Sequence, residues 1–317
     1  MTKFVLKPEY ISGLTQADGS FFISVSVSSK HKNGLRIRPK LTITQDLGSV
    51  HVLEAIKEYF NCGQIYVSSS KHSAEYVVDS IKDLTTIIIP HYQMYPLHLD
   101  KQRAFYILAN VIKTLENKEH YDKLVLADML KVIFAMNESS SRSLAKKNKY
   151  FEILEVVNDN ITPELPEILD IPLTEPFLIG LIDGDGCFNV SFGINRKLTL
   201  GFHITGHTNV KPLFIKAQSL LNVGQVRDKS STEVRYQIDN FTEIKNVLIP
   251  LMDRHVLHTT KSEHYDIFKL VVNLIDTNAH QTKDGFIKIV ELAYNMNLEG
   301  KRRKLSKQEY IEKYITN

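Results

Sequence analysis

Between residues 21 and 28, Phe21, Ile23, Val25 and Val27 alternate with Phe22, Ser24, Ser26 and Ser28. That is the two-residue period of a strand with one buried face. "KNG" (32–34) reads as a turn, after which Leu35, Ile37, Leu41 and Ile43 alternate with Arg36, Arg38, Lys40, Thr42 and Thr44. The same pattern returns far downstream. Phe188, Val190, Phe192 and Ile194 face Asn189, Ser191 and Asn195; Leu198, Leu200, Phe202 and Ile204 face Lys197, Thr199, His203 and Thr205. Each hairpin follows an apolar helical run that ends in an aspartate between glycines or a glycine and an alanine. Each is followed by a helix ("SVHVLEAIKEYF", "NVKPLFIKAQSLL"), two further strands and a mainly helical tail. The pattern predicts an α+β fold of two αββαββα repeats.

The matches are ordered. "YISGLTQADGSFFISV" (10–25) aligns with "FLIGLIDGDGCFNVSF" (177–192), and "LTITQD" (41–46) with "FHITGH" (202–207). "YFNCGQIYV" (59–67) aligns with "LLNVGQVRD" (220–228), the segment 85–108 with 245–268, and "FAMN" (134–137) with "YNMN" (294–297). The offset stays within about 160–167 residues, as expected of an internal duplication. The repeats are expected at 1–138 and 173–317. A Pro-containing acidic connector at 139–172 is expected to tether them without reading a ligand.

At 317 residues, with 43% hydrophobic and 24% charged positions, the chain suits two globular domains. It shows no apolar stretch of membrane-spanning length, and no secretory or transit pattern at its N-terminus. The two cysteines, Cys62 and Cys187, have no metal-type spacing and read as reduced thiols. The net charge of +3 is mild, but it is unevenly spread. Residues 19–49 hold five Lys/Arg against one acid, and residues 189–240 hold seven against three, whereas 150–195 holds no Lys or Arg.

The polar faces of both first hairpins lack glutamate and are rich in hydroxyl, amide and basic groups. Such groups hold phosphates and read base edges, and a β-ribbon fits the DNA major groove. The candidate DNA-contacting residues of the first repeat are Ser24, Ser26, Ser28, Lys30, Arg36, Arg38, Lys40, Thr42, Gln64, Tyr66 and Ser68. Those of the second are Asn189, Ser191, Asn195, Lys197, Thr199, His203, Gln225, Arg227, Lys229, Arg235 and Gln237. The basic run "GKRRKLSK" (300–307) reads as either a solvated tail or a further phosphate contact.

Small residues four apart, Gly13 with Ala17 and Gly180 with Gly184, let two helices approach closely. Packed together, their C-terminal ends would bring Asp18 and Asp185 side by side, each followed by a glycine (Gly19, Gly186) suited to a left-handed cap. Carboxylates beside negative helix ends repel, and a divalent cation reverses that sign. Asp183, replaced by Gln16 in the first repeat, reads as a structural residue.

At these motifs the sequence resembles the LAGLIDADG homing endonucleases in their single-chain, two-repeat form, over nearly the whole chain. The resemblance implies two antiparallel β-sheet saddles packed through the motif helices over a long, asymmetric double-stranded DNA target. It implies a monomer that acts as a metal-dependent phosphodiester hydrolase, with Asp18 and Asp185 on Mg2+ and the carbonyls of Ala17 and Gly184 as further ligands. Ca2+ or Mn2+ would substitute in binding. It also implies Gln45, Lys101 and Lys261 as catalytic residues, and expression from an intron, commonly in a fungal mitochondrion. Two departures stand out: Thr15-Gln16 replaces Ile-Asp in the first motif, and Gly206 stands where Gln45 has its counterpart. His203 or His207 is considered as a substitute for the missing amide. The alternative reading is an intron RNA maturase that binds host intron RNA; a DNA-binding regulator on the same frame is a third.

Overall fold

Pro8 opens helix α1 (Pro8–Asp18) in its first turn, where a missing N–H costs nothing. The computed structural model describes residues 5–136, 144–158, 161–192, 198–296, 303 and 305–315, and the chain divides into units 1–171 and 172–317.

In the first unit α1 passes directly into β1 (Gly19–Val27), with no loop between. Asn33 and Gly34, at φ 65° and 70°, make the expected turn into β2 (Leu35–Asp46). Helix α2 (Val50–Phe60), ended by a left-handed Asn61, leads to β3 (Gln64–Ser68) and β4 (Ser73–Val78). The sheet is antiparallel in the order β1-β2-β4-β3. A helical run follows: α3 (Ile81–Asp83), a π-turn at Leu84–Ile88 and α4 (Ile89–Met94). After it come α5 (Leu99–Glu116), α6 (Lys123–Met136) and α7 (Leu144–Leu154).

The core lies on the odd-numbered face of the first hairpin. Phe21, Ile23, Val25, Leu41 and Ile43 are buried with Val52, Leu53, Ile56 and Phe60 of α2 and Phe105, Leu108 and Ile112 of α5. The period-2 reading of the sequence therefore holds up to the hairpin tip, where Val27 is 55% exposed.

The second unit repeats the order. Helix α8 (Glu175–Asp185) is capped by Thr174, whose side chain accepts from Phe177 N. Then follow β5 (Gly186–Phe192), β6 (Leu198–His207), α9 (Lys211–Leu221), β7 (Gln225–Asp228) and β8 (Glu233–Ile238), in the sheet order β5-β6-β8-β7. Helix α10 (Phe241–Glu243), a π-turn at Ile244–Leu248, α11 (Ile249–Arg254), α12 (Lys261–Asp276), α13 (Lys283–Tyr294) and α14 (Lys307–Ile315) complete it.

One sequence expectation needs correction, and two segments gain structure. Gly19 and Gly186 are extended (φ −90°, ψ 158°; φ −71°, ψ 151°), not left-handed. They are glycine because of close approach: a Cβ at Gly19 would lie 2.4 Å from Thr15 Cγ2, and one at Gly186 2.6 Å from Ile182 O. The described part of the stretch 139–172 packs on the first unit. Helix α7 within it buries Tyr150, Phe151 and Leu154 in the first unit, and further on Leu169 N donates to Gln102 Oε1 at 2.6 Å. Helix α7 is also the counterpart of α14, since Tyr150 and Tyr310 are 160 positions apart and both are buried. Finally, Arg303 of the basic run is tied into the second unit. Arg303 donates to Val190 O at 2.9 Å and to Ala293 O at 3.1 Å. Half of that run, including Lys301 and Arg302, lies outside the described residues.

Candidate active site and nucleic-acid interface

Asp18 is the last residue of α1, and its carboxylate receives a specific partner. Gln45 Nε2 donates to Asp18 Oδ2 at 2.7 Å. Gln45 pairs with Ala74 across the sheet, on the helix-facing side of β2, and is 8% exposed. Lys101, near the start of α5, donates from Nζ to the Gly19 carbonyl. Three residues named from the sequence thus converge at one helix end. Ala17 contributes the carbonyl one residue earlier in the same last turn.

The second unit reaches the same place with different contacts. Asp185 ends α8 and is exposed. Lys261, first residue of α12, donates from Nζ to the Gly184 carbonyl at 2.8 Å. Gly206 pairs with Val234 as Gln45 pairs with Ala74, so the register places Gly206 at the glutamine's position. A Cβ there would lie 2.6 Å from Val210 Cγ2 and 3.3 Å from the Phe214 ring. The first unit has small Ser49 where the second has Val210, immediately before α2 and α9. Valine thus occupies the room a side chain at Gly206 would need.

Neither histidine replaces the amide. His203 and His207 lie an odd number of positions from Gly206, on the opposite sheet face. His207 Nδ1 is engaged with the Asn209 side chain and amide, at 3.1 and 3.4 Å. Burial, reinforced by Arg235, lowers the His203 pKa.

Asp183 is structural, as the sequence indicated. It is 2% exposed and accepts from His258 N at 2.6 Å, Thr259 N at 3.1 Å and the Thr259 hydroxyl. Thr259 Oγ1 in turn accepts from Lys261 N at 3.2 Å. Gln16 does a smaller version of this job, accepting from His98 N at 2.9 Å. Each motif helix therefore fixes the segment that carries its lysine.

The strand registers collect the polar residues on one face of each sheet. Ser24 pairs with Arg38 and Ser26 with Arg36; Tyr66 and Gln64 extend the row across β3. In the second unit Ser191 pairs with Thr199, His203 with Gln237, and Arg227 with Arg235. Asn189 and Gln225 share that face, and Ser28, Lys30, Ser68 and Lys229 flank the strand ends. Lys40 stands over the Phe22 ring at 5.7 Å. Thr42 is on the face but only 6% exposed, so its neighbours cover it. Asn195 and Lys197 lie outside the described residues.

The registers also show what strand patterning missed. Glu75 pairs with Thr44 and Tyr66, and Glu233 with His207, so each polar face carries one carboxylate on its second hairpin. Glu233 lies 3.6 Å from Arg235, whose Nε donates to Thr205 Oγ1 at 3.1 Å. Thr44 and Thr205, already polar in the strand pattern, belong to the faces as well.

The donor set at the two helix ends is hard oxygen: one carboxylate and last-turn carbonyls in each unit. Among the described residues no group of three or more His, Cys, Asp and Glu is placed to hold a metal ion, and no helix is long and apolar enough to cross a membrane.

A LAGLIDADG endonuclease family model matches residues 11–112 and 178–272. A relative from Mycosarcoma maydis, "Probable intron-encoded DNA endonuclease 1", is 25% identical over 264 residues, 80% of this chain and 95% of its own. The crystal structure of the I-LtrWI LAGLIDADG homing endonuclease bound to target DNA superposes with a TM-score of 0.85 at 28% identity, covering 92% of this chain and 98% of that one. I-SmaMI bound to uncleaved DNA target in the presence of calcium ions shares the fold with a TM-score of 0.84 at 24% identity, over 92% of this chain and 99% of that one.

Proposed function

The chain belongs to the LAGLIDADG endonuclease family, and from that premise we propose that it is a site-specific homing endonuclease that cuts both strands of a long, asymmetric DNA target by metal-dependent hydrolysis. The observation that carries this reading is the duplicated helix end, an aspartate with a lysine held beside it, at the start of a sheet whose open face is hydroxyl, amide and guanidinium. The endonuclease reading is preferred to the splicing cofactor because the relative and the solved structures above are endonucleases by name. Expression from an intron, in a mitochondrion, belongs to the same reading.

The residues fit a hard divalent cation. Mg2+ is held through one or two carboxylates, keeping waters and substrate phosphates as its other ligands, and Asp18 or Asp185 with the neighbouring Ala17 or Gly184 carbonyl would supply the protein's share. When bound, such an ion supplies Lewis-acid stabilisation of the phosphodiester. The rest falls to the chain itself. Gln45 fixes the Asp18 carboxylate by its amide. Lys101 and Lys261 place an ammonium beside each helix end, where it offsets the charge of an incoming phosphate. Arg36, Arg38, Arg227 and Arg235 stand on the sheet faces, where a guanidinium reads guanine or holds phosphate.

Asp18→Asn and Asp185→Asn should each abolish double-strand cleavage of the target while leaving its binding near the wild-type level, measured by plasmid cleavage in Mg2+ and by gel shift. Robust cleavage by either single variant sinks the assignment. Binding should also weaken steeply with salt, because each phosphate contact releases counterions.

A further inference from the structure

The outer strands of the two sheets, β1 and β5, are edge strands. An edge strand presents unpaired carbonyls and N–H groups that natural folds cover or blunt. Here both are met by side chains from beyond the repeat's last shared core helix. In the first unit the buried Tyr150 hydroxyl donates to Val25 O at 2.9 Å. Its ring stacks on Phe134 at 6.0 Å, and Ile153 of the same helix packs over the turn glycine, 3.0 Å from where a Gly34 Cβ would be. Asn33 Nδ2 ties that turn to His120 O and Tyr121 O at 3.1 and 3.0 Å. In the second unit the Arg303 guanidinium joins Val190 O to Ala293 O. It lies 5.1 Å from the Phe192 ring and 4.8 Å from that of Tyr294, and Tyr310 of α14 adds a ring contact with Phe192 at 4.9 Å.

The clamped carbonyls sit within the reading strands. Val25 lies between Ser24 and Ser26, which pair with Arg38 and Arg36. Val190 lies between Asn189 and Ser191. We infer that Tyr150 and Arg303 are positioning residues for DNA specificity: they hold the hairpins' edge strands so that the polar side chains beside them meet base edges in one register. The inference rests on the sheet-reading function proposed above. A hairpin extending from a sheet is free to pivot at its outer end. Base discrimination needs hydrogen-bond geometry good to a few tenths of an ångström, whereas phosphate attraction does not. Loss of a clamp therefore lowers discrimination more than affinity. The two units reach the same end with a phenol and with a guanidinium, so the requirement lies in the clamped carbonyl and not in one residue type.

The test is a cleavage profile of the full-length protein on its target and on every single-base variant of it. Arg38→Ala and Thr199→Ala mark the base pairs read by the first and the second hairpin. Tyr150→Phe, which keeps the ring, should lower the target-over-mismatch ratio about three- to ten-fold, the size of one neutral hydrogen bond, at the pairs marked by Arg38→Ala and not elsewhere. Arg303→Lys should do the same at the pairs marked by Thr199→Ala. Amide exchange in residues 24–28 should rise in Tyr150→Phe. Ile56→Val, a core change on α2, should lower stability while leaving the profile unchanged. A wild-type profile in folded Tyr150→Phe and Arg303→Lys, or a loss spread evenly over all base pairs, overturns the inference while leaving the nuclease intact. Failure of the wild-type protein to cut any DNA overturns the function and the inference with it.

Discussion

The two units share a backbone and diverge at the chemistry. At the end of α1 an amide from β2 grips the aspartate; at the end of α8 the same register holds a glycine with a valine against it. Conversely, the second motif helix holds its lysine segment with a buried carboxylate and the first with an amide. Each unit has kept one of its two helix-end polar contacts strong and relaxed the other. The comparison shows that the duplicated frame fixes where an aspartate and a lysine stand, while the hydrogen bonds that orient them are free to change.

Removing Asp183 should produce the largest effect. Asp183→Ala leaves the His258 and Thr259 donors buried without their acceptor, and should cost about 3 kcal/mol of folding stability. Gln16→Ala, which frees a single donor, should cost about 1 kcal/mol. Denaturant midpoints of the two variants measure the contrast, and equal losses would erase it.

Next is the asymmetry of cutting. Gln45→Ala should slow cleavage of one strand by about 10–100-fold, the usual scale for losing an orienting partner at a metal site. Wild-type enzyme should already cut its two strands unequally, accumulating nicked plasmid. The register sharpens this: Gly206→Gln alone should not raise the slower rate, because Val210 blocks the side chain, whereas Gly206→Gln with Val210→Ser should. Separate end-labels on each strand give the rates. Equal rates, unchanged in Gln45→Ala, would remove the glutamine from the mechanism.

A last contrast concerns pH. His91, packed among Tyr59, Phe60, Tyr92 and Tyr95, is held neutral by burial with its pKa lowered to about 4; its counterpart is Leu251. Between about pH 6.5 and 4 the unfolded chain binds a proton that the folded chain refuses. Stability therefore falls as pH drops through that window, by at most about 1.4 kcal/mol per pH unit. The stability gap between wild type and His91→Gln, measured by urea unfolding, should narrow from pH 7 to pH 5. A constant gap would assign the histidine no share of the acid limb.

Much of this was legible in the chain. The hairpins announced themselves through period-2 alternation, and the duplication through ordered blocks around Asp18 and Asp185. Asp183 declared its structural role because its counterpart in the first repeat is Gln16. What stayed hidden were features set by register and packing. No pattern in one strand shows that Glu75 shares a face with Tyr66, because the pairing of β4 with β3 decides it. Helix α7 hides in the connector because "KNKYFEIL" and "KQEYIEKY" share only Lys147/Lys307, Tyr150/Tyr310 and Glu152/Glu312. The backbone region of Gly19 and Gly186 is not legible because a glycine after a helix has two uses, left-handed capping and close approach, and the sequence does not distinguish them.

The direct passage from Asp18 to Gly19, and from Asp185 to Gly186, makes each junction a ruler without slack. A strand advances about 3.3 Å per residue and turns over at every step. One residue inserted there would shift the carboxylate by that distance and exchange the two faces of the following strand, turning Phe21 or Phe188 outward and the serines inward. The strands beyond each junction can therefore diversify by substitution, whereas the junction itself tolerates neither a change of length nor a side chain at its glycine. In the endonuclease proposed above, new DNA targets would be reached by repainting the sheet, with the distance from carboxylate to reading face passed on unchanged.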